Sequence, residues 1–103
     1  MKQSLLTKLD TLTDRHEEVG ALLSDNEVIS DQNRFRELSR EYSELETLVQ
    51  CFSRYRRVGE DLQEAQLMME DSDPDLREMA AEEIKEGEQQ RAQLETELQT
   101  LLL

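Results

Sequence analysis

The stretch Asp31 to Phe52, DQNRFRELSREYSELETLVQCF, decides the fold. Phe35, Leu38, Tyr42, Leu45, Val49 and Phe52 follow one another at spacings of three and four residues, with charged and polar residues between them. This is the signature of an apolar stripe on one face of an α-helix that packs against another helix. The stripe resumes at Tyr55, Val58, Leu62, Ala65 and Met69 after a change of register between Phe52 and Tyr55. Such a slip is expected to unwind or over-wind a coiled coil locally, close to Gly59. Ser30 is the expected N-cap, with Asp31 favoured by the positive end of the helix dipole. A helix over 31–70 would be about 60 Å long at a rise of about 1.5 Å per residue, which implies an elongated molecule.

The same spacing appears on either side. Leu5, Leu9, Leu12, His16, Val19 and Leu23 predict a helix over 4–23, ending in Ser24-Asp25-Asn26, whose side chains compete with the helical backbone for hydrogen bonds. Asp73 followed by Pro74 is a strong start signal, an N-cap and a proline at the first helical position. It opens a third helix over 74–102 with Leu76, Ala80, Ile84, Gly87, Arg91, Leu94, Leu98 and Leu101 on its stripe. Gly87 and Arg91 are poor core residues, so the middle of this helix is expected to pack loosely. Short connections favour antiparallel neighbours. The fold class is therefore all-α: an elongated antiparallel three-helix, coiled-coil arrangement with a long central helix, forming one domain over 1–103. The three closing residues, Leu101-Leu102-Leu103, suggest a chain cut before its natural continuation.

Composition narrows the function. Of 103 residues, 36% are apolar and 36% charged, with 25 acids against 12 bases and a net charge of −13. Three glycines and one proline leave an all-β fold no means of reversing its strands. No apolar run spans a membrane or forms a secretory signal, and the single cysteine fits a reducing compartment, so a cytoplasmic location is expected. The net charge is wrong for a free DNA binder. Charge is also divided along the chain. Arg34, Arg36, Arg40, Arg54, Arg56 and Arg57 lie in one region, whereas Glu60 to Glu88 carries twelve acids and two bases. The arginines could meet RNA phosphate and the acidic region a basic protein.

No enzyme can be assembled from these residues. Cys51 and His16 are the only cysteine and histidine, and neither has a triad or metal-ligand pattern around it. Cys51 reads as a half-buried structural thiol and His16 as a packed or rim residue on its stripe. Thr13, three residues before His16, breaks the Glu-x-x-His pattern of di-metal bundles. Glu82, Glu83 and Glu86 read as solvated carboxylates. Met68, Met69 and Met79 read as gap-filling core. No catalytic residue, cofactor site or metal site is expected.

Three runs carry a resemblance. Met1-Lys2-x-Ser4-Leu5-Leu6-x-Lys8-Leu9, Arg15-His16-Glu17-Glu18-Val19 and Asp31-Gln32-x-Arg34-Phe35-Arg36-x-Leu38-Ser39-Arg40-Glu41-Tyr42 resemble the N-terminal helical domain of the bacterial peptide chain release factor 1 family. Asp75 to Ala80 and Leu94 to Leu103 fit the same region. These class-I factors direct peptide release at UAA and UAG. The resemblance implies a helical N-terminal domain followed by a codon-reading domain and a domain carrying Gly-Gly-Gln. This chain has no Gly-Gly pair, so the codon-reading and hydrolytic elements are absent from it. What the resemblance leaves is ribosome docking near the large-subunit stalk base, on rRNA and protein, and presentation of the full-length factor to the glutamine methyltransferase that modifies it. The six arginines are the expected ribosome contacts. A generic coiled-coil adaptor or chaperone-like interaction protein is the alternative.

Overall fold

A computed structural model describes all residues, 1–103. It contains four helices and no strand: α1 (Gln3–Leu22), α2 (Asn26–Ile29), α3 (Gln32–Met68) and α4 (Pro74–Leu101). Packing divides the chain into two compact units, Met1–Gln50 and Cys51–Leu103, with α3 contributing to both.

In the first unit α1 lies antiparallel against the start of α3. Gly20 approaches Tyr42, while His16, one turn earlier, reaches both Tyr42 and Glu46. Partner positions therefore rise along α3 as they fall along α1. Val19, Val28 and Leu38 form the buried cluster, with Leu22, Leu23 and Tyr42 packed against it. Val28 comes from α2, a single helical turn where the sequence suggests only a loop. Asp25 caps it by accepting from the Glu27 amide at 2.9 Å, and Val28 is then almost wholly buried. The cap of α3 is Asp31, not Ser30: the Arg34 amide donates to Asp31 Oδ1 at 3.2 Å.

Phe35 was expected in the core and is exposed. It sits a turn before Leu38, beyond the end of α1, so no helix covers it. The register slip does not break α3, which runs continuously through Gly59. Cys51 and Phe52 are buried before the slip and Val58 after it, with Tyr55 half-buried between them, so the apolar face continues across the slip.

In the second unit α4 lies antiparallel against the end of α3. Asp73 caps α4 by accepting from the Asp75 amide at 2.9 Å, with Pro74 in the first turn. Asp71 shapes the connection: its side chain accepts from the Asp73 amide, and its carbonyl accepts from Arg77 Nη1 at 2.8 Å. Cys51, Phe52, Val58, Leu62 and Ala65 of α3 are buried, as are Ala80, Leu94 and Leu98 of α4. Met69 and Met79 are exposed, against expectation; Ala80 takes the inward position beside Met79.

Loose packing is expected in the middle of α4, and no residue between Ala80 and Leu94 is fully buried there, but at Gly87 the backbone lies close to α3. A Cβ at that position would stand 2.7 Å from Leu62 Cδ2 and 3.0 Å from Leu62 Cγ. The backbone of α4 at Gly87 packs against the buried Leu62 side chain, and a larger residue at position 87 has no room. Gly59 is the opposite case, with nothing within 4 Å of an added Cβ and no positive φ. Glycine in a helix interior costs about 0.5–1 kcal/mol relative to alanine. Gly59→Ala is therefore expected to stabilise the chain by about that amount, read as a higher urea midpoint at unchanged slope. A lower midpoint would show that position 59 meets something.

Candidate functional site

All six arginines singled out in the sequence are exposed. α3 carries all of them, Arg34, Arg36 and Arg40 in the first unit and Arg54, Arg56 and Arg57 in the second. Their surroundings differ. Arg54 reaches Glu97 at 3.9 Å, a distance at which an exposed pair contributes little. The Arg56 guanidinium lies over the Phe52 ring, 4.3 Å from its centroid, a cation–π contact. Arg34, Arg36, Arg40 and Arg57 form no ion pair within the chain, although Arg57 borders one hollow with Glu60, Asp61 and Glu64.

Arg36 also borders an apolar surface. Ile29 and Phe35 are 49% and 39% exposed and line one shallow groove with Gln32, Arg36 and Ser39. An arginine beside two uncovered apolar side chains is the composition of an interaction surface. Heptad reading places Phe35 in the core and passes over Ile29, because neither the end of α1 nor the turn at α2 is visible in the spacing.

The arginine outside this group, Arg15, has a structural task. Its Nε donates to Glu41 Oε2 at 2.6 Å and its Nη2 to Glu41 Oε1 at 2.8 Å, a bidentate bond from α1 to α3. The hydrogen bond from Arg15 holds the Glu41 carboxyl below the usual glutamate range, and the same bond raises Arg15 above its ordinary value. Because the folded-state value of Glu41 is depressed, the bond's contribution is complete above the ordinary 4.5 and is lost as pH falls below it. Glu41→Gln is accordingly expected to lower the melting temperature at neutral pH and to flatten its decline between about pH 5 and 3. Parallel acid profiles for the two proteins would show that the bond does not form in solution.

His16 packs flat on Tyr42, with ring centroids 4.2 Å apart, and its Nε2 is buried 3.6 Å from Glu46 Oε2 without a hydrogen bond. Cys51 is fully buried, more than the half-burial expected, and burial pushes its thiol up, away from the reactive thiolate. Burial likewise raises Tyr55, whose hydroxyl donates to Glu95 Oε1 at 3.3 Å. No three acidic, histidine or cysteine side chains converge in a geometry that could hold a metal ion. No helix is long and apolar enough to cross a membrane. The arrangement offers surfaces for contact, with exposed cations and apolar side chains.

The family model described as the PCRF domain matches residues 12–103. That is nearly the whole chain, so the chain belongs to the PCRF-domain family, a domain of the peptide chain release factors of translation termination.

Proposed function

We propose that this PCRF-family chain is the N-terminal helical domain of a factor that directs peptide release at UAA and UAG, acting in the cytoplasm. Its own task is to dock the factor on the ribosome, at the base of the large-subunit stalk, and to hold the remaining domains at the right distance from it. It neither reads the codon nor hydrolyses the ester. In the full-length protein it also helps to present the factor to its glutamine methyltransferase.

The observation that carries this reading is the set of exposed arginines on α3 that form no ion pair, Arg34, Arg36, Arg40 and Arg57, with Arg36 beside the uncovered Ile29 and Phe35. Cations with no partner in their own chain are available to phosphate at no cost in broken ion pairs, and phosphate contacts fix position and orientation without reading sequence. Exposed apolar side chains next to them add area that a protein or an unstacked base could cover. The alternative, a generic adaptor pairing through its apolar stripes, is disfavoured because those stripes are consumed inside each unit, with Val19, Leu38, Leu62 and Leu98 buried.

The test is sedimentation of the full-length factor with ribosomes at low and high salt, with Arg34, Arg36, Arg40 and Arg57 changed to glutamate. Four lost phosphate contacts should weaken binding by about 100-fold or more at low salt and flatten the salt dependence. Unchanged binding and an unchanged slope would remove the docking surface assigned here. Binding by the 103-residue chain alone, in competition with the full-length factor, would show that the surface acts without the other domains.

A further inference from the structure

The acidic half of the chain also holds a surface that the docking role leaves unused. Within the second unit, α3 and α4 enclose an open groove of about 410 Å³. It is lined by Val58, Leu62 and Met68 of α3 and by Gly87 of α4, where Leu62 already takes the space of a side chain at position 87. Its two walls are acidic: Asp61 and Glu64 stand on α3, and Glu83 and Glu86 on α4. All four carboxylates are exposed, and none forms an ion pair or a side-chain hydrogen bond within the chain.

From this we infer that the groove is a docking site for a basic, amphipathic protein segment, one that sets an apolar side chain against Met68 and Val58 while lysines or arginines on either side meet the two acidic walls. Charge selects the occupant. Residues 60–88 carry twelve acids and two bases, a field that repels nucleic acid and attracts cationic peptide. A single metal ion does not fit, because no three of the carboxylates converge on one point. Carboxylates spread along both walls suit charges spread along a helix or an extended strand, and the apolar floor gives a non-polar side chain somewhere to go. Of the arginines assigned to ribosome docking, Arg34, Arg36 and Arg40 belong to the first unit, and only Arg57 borders this surface, beside Asp61 and Glu64; leaving Arg57 unchanged in the test keeps the two readings distinguishable.

The probe is a synthetic helical peptide with leucines on one face and lysines on the other, labelled for fluorescence anisotropy and titrated with the 103-residue chain. Three comparisons decide the matter. Changing Asp61 and Glu64 to Asn and Gln, and Glu83 and Glu86 to Gln, should weaken binding by about 10-fold or more, given the worth of several exposed ion pairs. Neutralising four exposed acids of the first unit, Asp14, Glu17, Glu37 and Glu44, should change it by less than about twofold if binding is local. A peptide with its leucines replaced by glutamine should bind about 10-fold more weakly, because the apolar burial is gone. The Met68 methyl resonance should shift on binding of the leucine-containing peptide. Equal losses from the two acid-neutralised proteins would reduce the effect to net charge and overturn the site, as would a Met68 methyl that does not respond. Binding of an RNA oligonucleotide in place of the peptide at this groove would overturn it as well. Neither acid-neutralised protein loses a core side chain, and circular dichroism checks that both remain helical.

Discussion

Gly87→Val is expected to destabilise the Cys51–Leu103 unit by about 3 kcal/mol. The added Cβ would stand 2.7 Å from Leu62 Cδ2, well inside contact distance, and Leu62 is 3% exposed, so it cannot swing into solvent. Either α4 moves away from α3 or Leu62 leaves its rotamer, and overpacking of this kind typically costs about 1–3 kcal/mol. Gly87→Ala should cost less, because leaving glycine returns about 1 kcal/mol of helix propensity. The cause is isolated by a double-mutant cycle with Leu62→Ala. That substitution alone is expected to cost about 2–5 kcal/mol through the cavity it leaves. In its background the valine at position 87 meets space where a methyl group stood, and Gly87→Val should become close to neutral. A coupling of about 2 kcal/mol in urea denaturation is the expected result. Additive effects would mean that the two helices do not approach closely at this point.

Leu98→Ala is expected to cost about 3 kcal/mol, within the usual range for a fully buried leucine. Leu98 is 0% exposed, on the inner face of α4. Deleting its outer carbons removes their transfer free energy and leaves a cavity that two helices held in register can close only in part. For a chain this small, with a total stability of about 5–15 kcal/mol, that is a large fraction. Leu67→Ala deletes the same atoms from a side chain that is 70% exposed, and should stay within about 0.5 kcal/mol of the parent. Thermal and urea denaturation of the pair separate burial from chemistry, since both residues are leucines in helices. Similar losses would contradict the packing of α4 on α3.

Much of this packing could be read directly from spacing. Leu9, Val19, Leu38, Phe52, Val58, Leu62, Ala65, Ala80, Leu94 and Leu98 all lie on the heptad stripes and are all buried. The start of α4 was equally legible, because Asp73 and Pro74 act within one turn. The misreadings have a common source. Phe35 fits its stripe but lies past the end of α1 and is uncovered; Met79 is apolar but faces outward beside the buried Ala80. Val28 belongs to no stripe, yet the turn at α2 brings it into the core. In each case the deciding fact is where a distant segment stops or turns, which spacing along one helix does not contain.

The arginines divide in the same way. Their identity and clustering along α3 follow from the sequence, and so does the acidity of residues 60–88. That Arg15 is held by Glu41 and Arg54 lies near Glu97, while Arg34, Arg36, Arg40 and Arg57 have no partner, depends on residues brought together from 26 or more positions away or left apart. Alone, the sequence determined the three long helices, the cap of α4 and most of the faces they bury, because helix formation is governed by side chains three and four residues apart. Only the tertiary structure decided that Gly87 packs against Leu62 with no room for a side chain, that Ile29 and Phe35 remain uncovered, and which charges form no ion pair, because burial and pairing are properties of surfaces that meet.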